Sequence, residues 1–290
     1  MRIFRRFKIG FGMARRSGRV LRSHPKLLVF PLIGGISGIA FLVTLFGSLF
    51  LADSLLDGGA VVYVALFAAY LVQTFIASFF TAALVAATRT VFEGGDPSIR
   101  GALATAWERK LPILIWSIIA ATVGVLIRMI ESQDNLVAQI IAGIFAVAWS
   151  VMTYFVVPVI VFRDPSATEM LKESGRTFKD TWGESLGAMG AIDIVTVLLA
   201  IVAVALGGVT FVATTGLGAV QLLATVLIGG TAVVFALLLG KTLSGIAKTA
   251  LYVYTTDSAA PEHFEDMDFS AFGGDDSAAT SRFTGGNGRI

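Results

Sequence analysis

Six apolar runs, each about as long as a hydrocarbon core is thick or longer, limit this chain to very few folds. They are Leu27–Leu51, Val61–Phe92, Pro112–Ile130, Val137–Phe162, Leu186–Thr214 and Val220–Tyr254. At 1.5 Å of rise per residue, roughly 20 helical residues cover the ~30 Å of acyl chains in a bilayer. Membrane-spanning strands would be shorter and would alternate in polarity, so the runs are helices. Charge is confined between them. With 56% hydrophobic and 14% charged residues and a mean hydropathy of +0.81, the chain is far too apolar for a soluble domain. The fold expected is an all-α integral membrane protein. About six transmembrane helices form three helical hairpins, each preceded by an amphipathic cytoplasmic interfacial helix.

Residues 1–26 form the first interfacial helix. Phe4, Phe7, Phe11, Ala14, Gly18 and Leu21 recur at three- and four-residue spacing, the period of one helix face. Arginines, Arg15 and Arg16 among them, occupy much of the rest. Such a helix lies in the headgroup plane with its phenylalanines down and its cations against anionic lipid headgroups, each worth ~1 kcal/mol. No short apolar core with a cleavage site follows the basic start, so the N-terminus is expected to be retained. Within the first hairpin, Gly34, Gly35 and Gly38 offer a flat packing face.

The turn Asp96-Pro97-Ser98 opens a second interfacial helix near 97–110, and Asp164-Pro165-Ser166 opens a third near 165–182. Pro suits a first helical turn, and Asp or Ser accepts bonds from its orphan amides. Trp107 and Trp182, with Arg15 and Arg16, are placed as interfacial anchors. A kink is expected at Pro158 near the end of span four. If the N-terminus is cytoplasmic, Arg128 alone among the bases falls outside, which is the positive-inside pattern for cytoplasmic N- and C-termini in a cell membrane. The doubled Asp-Pro-Ser, and an aromatic followed by Asp after each hairpin, read as an internal threefold repeat about the membrane normal. The domain layout is 1–26, a six-span domain 27–256, and an acidic tail 257–290 whose composition predicts disorder. Within that tail, EHFEDMDFSAF spaces aromatics among acids and could dock on a partner or on the basic N-terminal helix.

Chemistry-bearing residues are scarce. There is no cysteine, and the two histidines, His24 and His263, lie at the membrane edge and in the tail. No catalytic constellation, cofactor motif or metal-ligand spacing is present, so no enzyme activity and no cofactor are expected. Ionisable groups inside a membrane are the first candidates for function. Asp193, about two turns into span five, leads. Lys241 or Lys248 on span six is its natural partner, either as a structural ion pair or as part of a proton or substrate site. Gln73 is a weaker member of the same polar set. Gln221 and Arg128 are weaker still, with Arg128 expected to pair with Glu131 or Asp134. Gly207-Gly208 and Gly229-Gly230 read as packing contacts.

The basic helix, the Ser23-His24-Pro25-Lys26-Leu27-Leu28-Val29-Phe30-Pro31 entry to span one, the two Asp-Pro-Ser turns and the Trp-bearing helices resemble an uncharacterised six-span family, DUF6159, over about Arg5–Tyr254. More distantly they are similar to the membrane domain attached to some glycerophosphodiester phosphodiesterases. The resemblance implies a polytopic membrane protein of unknown function. The phosphodiesterase catalytic domain has no counterpart here, so its activity is not implied. The acidic, cysteine-free tail is also similar to those of haloarchaeal proteins. Two functions stand open. One is a non-enzymatic scaffold that binds a protein partner through its cytoplasmic helices and tail, or a second copy of itself. The other is a transporter or lipid-handling protein with a cavity between hairpins near Asp193. No nucleic-acid partner is expected.

Overall fold

Turn chemistry divides the apolar runs into helices. In a computed structural model, which describes residues 2–51, 59–133, 135–257, 261, 263 and 264, with the side chains of 2–9, 49–51, 59–61, 182–189 and 257 excepted, the described residues form helices and turns without strands. The helices are α1 (Arg2–Ser23), α2 (Val29–Leu51), α3 (Gly59–Phe92), α4 (Ile99–Glu108), α5 (Lys110–Glu131), α6 (Leu136–Met152), α7 (Val156–Arg163), α8 (Ala167–Asp180), α9 (Trp182–Ala213), α10 (Ala219–Thr225) and α11 (Thr231–Asp257). A 3-10 turn, Pro25–Leu28, leads into α2, and a π-helical turn, Val226–Gly230, joins α10 to α11. Six stretches are long and apolar enough to cross a membrane: α2, α3, α5, α6 with α7, α9, and α10 with α11. The protein is a multi-pass membrane protein.

Both Asp-Pro-Ser turns are used alike. Ser98 caps α4, accepting from Gly101 N at 3.3 Å, and Ser166 caps α8 in a capping box with Glu169. Pro therefore precedes each cap rather than entering the first turn, and each Asp binds a cation instead. Asp96 meets Lys26 at 2.9 Å and Asp164 meets Arg109 at 2.7 Å. In each case a base at the entry of a hairpin's first span holds the acid that follows its second span. All four side chains are partly or largely exposed, so each clasp contributes at most about 1 kcal/mol.

Span four is broken. Pro158 lacks an N–H, and its ring crowds the carbonyl one turn back, at Tyr154. The helix accordingly opens at Thr153–Phe155, one turn before the expected position. The freed, buried Phe155 N–H donates to Ser174 Oγ of α8 at 3.0 Å. Thus α8 packs against the break, burying Met170, Ser174, Thr177 and Phe178.

Burial is lopsided. The core cluster gathers Met13, Leu27, Phe30, Ala82–Ala87, Ile113, Phe155, Met170, Phe178, Ile246, Ala247 and Ala250–Tyr252, all toward the end that carries α1, α4 and α8. At the other end the spans expose apolar side chains, as lipid-facing helices do. That exposed band starts at Leu32 on α2, Leu111 on α5, Ile194 on α9 and Leu237 on α11. On α9 it runs from Ile194 to Val212, a rise of about 27 Å, close to the thickness of a hydrocarbon core. These four residues mark one edge of the membrane.

Two expectations change here. α1 packs against α9 and α11, and its buried stripe is Met13, Ala14, Ser17, Val20 and Leu21, while Phe11 is exposed. The face is rotated from the expected one and is covered by protein. In the tail, Phe264 is fully buried, its ring edge-on to Phe92 at 5.8 Å, with its N–H bonded to Pro261 O at 2.9 Å. This part of the acidic segment is seated on α3; residues 265–290 lie outside the described residues.

Candidate functional site

Two close contacts orient α11. A Cβ at Gly240 would collide with Thr196 Oγ1 of α9, and one at Gly245 would come within 2.5 Å of Leu84 Cδ2 of α3. At Gly240 only hydrogen fits, and at Gly245 a Cβ would force Leu84 to move, so α11 is wedged between the two neighbours. Lys241, Ser244 and Lys248, at i, i+3 and i+7, then share a face that lines a groove toward α2.

The groove has a volume of about 570 Å³. α2 contributes Pro31, Gly34, Gly35, Gly38, Ile39 and Leu42; α3 contributes residues from Gln73 to Leu84; and α11 supplies the two lysines, Ser244 and Gly245. α2 leans on α3 through its glycines, because a Cβ at Gly34 would meet Phe80 at 3.0 Å and one at Gly38 would meet Gln73 at 2.9 Å. Gly35 has nothing within 4 Å of its Cβ direction and borders open space. Gln73 Nε2 donates to Gly38 O at 2.9 Å, which ties the two helices together in the apolar part of the groove.

Depth decides what this groove can do. Lys241 lies one turn, about 6 Å, beyond Leu237, and Lys248 about 10 Å further along α11. The lysines are therefore at headgroup level and deeper toward the basic end, while Ile39, Leu42 and Ile76 reach into the hydrocarbon. Among the described residues, no Asp or Glu lines the groove. Apolar walls at one end and ammonium groups without an ion pair among the described residues at the other fit an anionic amphiphile.

Of the four polar residues that the sequence places inside the membrane, Gln73, Lys241 and Lys248 meet here; Asp193 does not. It is exposed on α9 beside Ile194, at the membrane edge. The expected ion pair is not formed, since neither lysine has a carboxylate oxygen within 4 Å among the described residues. Lys248 Nζ instead lies over the Tyr154 ring, 4.2 Å from its centroid, at the break in span four, and Asp193 acts on both groups only through its field. Asp193 stands at the edge of the exposed band and Lys248 several residues further toward the basic end, so the two differ in depth as well as in direction around their helices.

Gln221, Arg128 and the paired glycines have structural roles. Gln221 Nε2 caps Phe211 O at 3.0 Å, and Arg128 meets Glu131 at 3.4 Å. Gly207 and Gly229 form the crossing of α9 with the π turn, and Gly208 borders open space. Trp107 is 58% exposed, edge-on to Phe79 and under Lys110 Nζ at 4.5 Å. Arg15 is exposed and Arg16 half-buried; the Trp182 side chain lies outside the described residues. A link the sequence did not reveal joins hairpins one and two: Trp116 Nε1 donates to Ser78 Oγ at 3.1 Å and stacks on Trp149. Among the described residues, no three His, Asp or Glu side chains come together at a metal-binding distance.

A family model described as a family of unknown function (DUF6159) matches residues 60–261. No curated protein and no solved structure matches the chain.

Proposed function

We propose, from the premise that the chain belongs to the DUF6159 family, whose function is unknown, that it is a non-enzymatic, lipid-handling membrane protein. An anionic amphiphile enters the groove between hairpins one and three from the bilayer. The reading rests on one observation: the groove carries Lys241 at headgroup depth, Lys248 further toward the basic end, and apolar walls on the bilayer side of both. Positive-inside counting puts the basic end, both termini and the lysines on the cytoplasmic side of the cell membrane, so the occupant comes from the inner leaflet. The exposed arginines of α1 add attraction for anionic headgroups at the same surface.

The test is mass spectrometry of the intact protein extracted in mild detergent. Wild type retains anionic lipid, Lys241→Gln retains several-fold less, and Gly35→Trp, which projects into open space, retains least without loss of thermal stability. Equal retention by all three proteins overturns the proposal. The scaffold reading draws on α4 and α8, whose apolar faces turn inward and leave charged faces outward. It predicts that removing residues 265–290 abolishes capture of a partner while membrane insertion persists.

A further inference from the structure

The two lysines specify the headgroup as well as its sign. They are seven residues apart on α11, with Ser244 between them on the same face, so both side chains can converge on one anion near the Ser244 hydroxyl. Among the described residues, no carboxylate lines the groove. Asp193 acts on Lys248 electrostatically from outside the lining and beyond ion-pair distance. Lys248 Nζ has an aromatic face beneath it, from Tyr154, which attracts the ammonium but accepts little of its hydrogen-bonding capacity. Lys241 is exposed to the groove with no ion pair among the described residues.

Lys241 opens on the groove, and Lys248, whose Nζ rests over Tyr154 outside the lining, reaches the same volume by swinging off that ring; such a pair is best matched by a ligand with close to two negative charges. A phosphodiester headgroup or a fatty acid carboxylate brings one. A phosphomonoester brings about −1.5 to −2 near neutral pH and three strong acceptor oxygens. From this, and resting on the groove reading above, we infer that the groove selects an amphiphile with a terminal phosphomonoester over phosphodiester and zwitterionic lipids. Its oxygens take Lys241, Ser244 and Lys248, and its chain lies along Ile39, Leu42 and Ile76.

The experiment is a competition on the full chain in detergent near neutral pH, read by mass spectrometry of the intact complex. The probes are dioctanoyl phosphatidic acid, dioctanoyl phosphatidylglycerol, dioctanoyl phosphatidylcholine and inorganic phosphate. The monoester lipid should bind about fivefold more tightly than the diester, the worth of one further charge beside a lysine at a membrane surface. Lys241→Gln should close that gap, Lys241→Arg should keep it, and Gly35→Trp should exclude both lipids. Equal binding of monoester and diester lipids overturns the headgroup assignment and leaves the groove proposal standing. If no lipid binds, both fail. If inorganic phosphate competes as well as the monoester lipid, the site is for free phosphate and the amphiphile assignment is overturned.

Discussion

The break in span four sets up the sharpest test of how this bundle is held together. Pro158 opens the helix at Tyr154, and the Phe155 N–H, in a residue with no exposure, finds its acceptor on Ser174 of α8, also fully buried. In Ser174→Ala that donor is left without a partner among apolar neighbours. An orphaned buried N–H costs about 1–3 kcal/mol, which at 2–4 °C per kcal/mol for a chain of this order lowers Tm by about 2–12 °C. The control is Ser150→Ala, because Ser150 is surface-exposed and bonds only within its own helix, to Val147 O. Thermal unfolding in one detergent, followed by circular dichroism, compares the two. Amide exchange at Phe155 should also quicken in Ser174→Ala alone. If both variants melt together, α8 does not brace the break, and its place in the fold must be explained by its apolar contacts.

Three further outcomes are expected. Gly229→Ala should destabilise by about 1–3 kcal/mol, the range for overpacking, because its Cβ would come within 2.7 Å of Gly207 Cα; Gly208→Ala, with open space around it, should be neutral in the same melt. Phe264→Ala empties a fully buried site against Phe92, and limited proteolysis should then cut the tail at lower protease concentration than in wild type. The Ser166 hydroxyl and backbone N–H hold the Glu169 carboxyl below the usual carboxylate range, with Lys172 adding to the effect. The cap it forms is therefore complete above the ordinary Glu pKa and lost as pH falls through the lowered value; Ser166 amide protection should follow that titration, and Glu169→Gln should flatten it.

How much of the fold and the groove is legible in the sequence depends on the kind of information each feature needs. Span lengths, turn residues and the repeated Asp-Pro-Ser are one-dimensional, and they reappear as six spans and two matching caps. Polarity within an apolar span is also one-dimensional, which is why the sequence groups Gln73, Lys241 and Lys248 as the groove does. Direction around a helix axis is not. Polarity pairs Asp193 with the lysines, yet α9 turns it toward the membrane edge, because Gly240 and Thr196 set how α9 and α11 face each other. The stripe on α1 falls to a related ambiguity: lipid and protein interior are both apolar, so spacing reveals a buried face without saying what buries it. Pro158 announces the break, but its consequence falls at the carbonyl one turn earlier. The docking of Phe264 on Phe92 joins residues far apart in the chain and leaves no periodic trace.

Everything proposed for the groove depends on the spans crossing the bilayer with α1, α4 and α8 gathered at one face. The chain contains no cysteine, so single cysteines can be read one at a time with an impermeant thiol reagent in sealed, oriented vesicles. Arg176→Cys in α8 and Ser98→Cys before α4 should label from one side, and Gln133→Cys and Thr215→Cys, in the turns after α5 and α9, from the other, with Leu198→Cys silent from both. Labelling of Arg176→Cys and Gln133→Cys from the same side would contradict the account at its base.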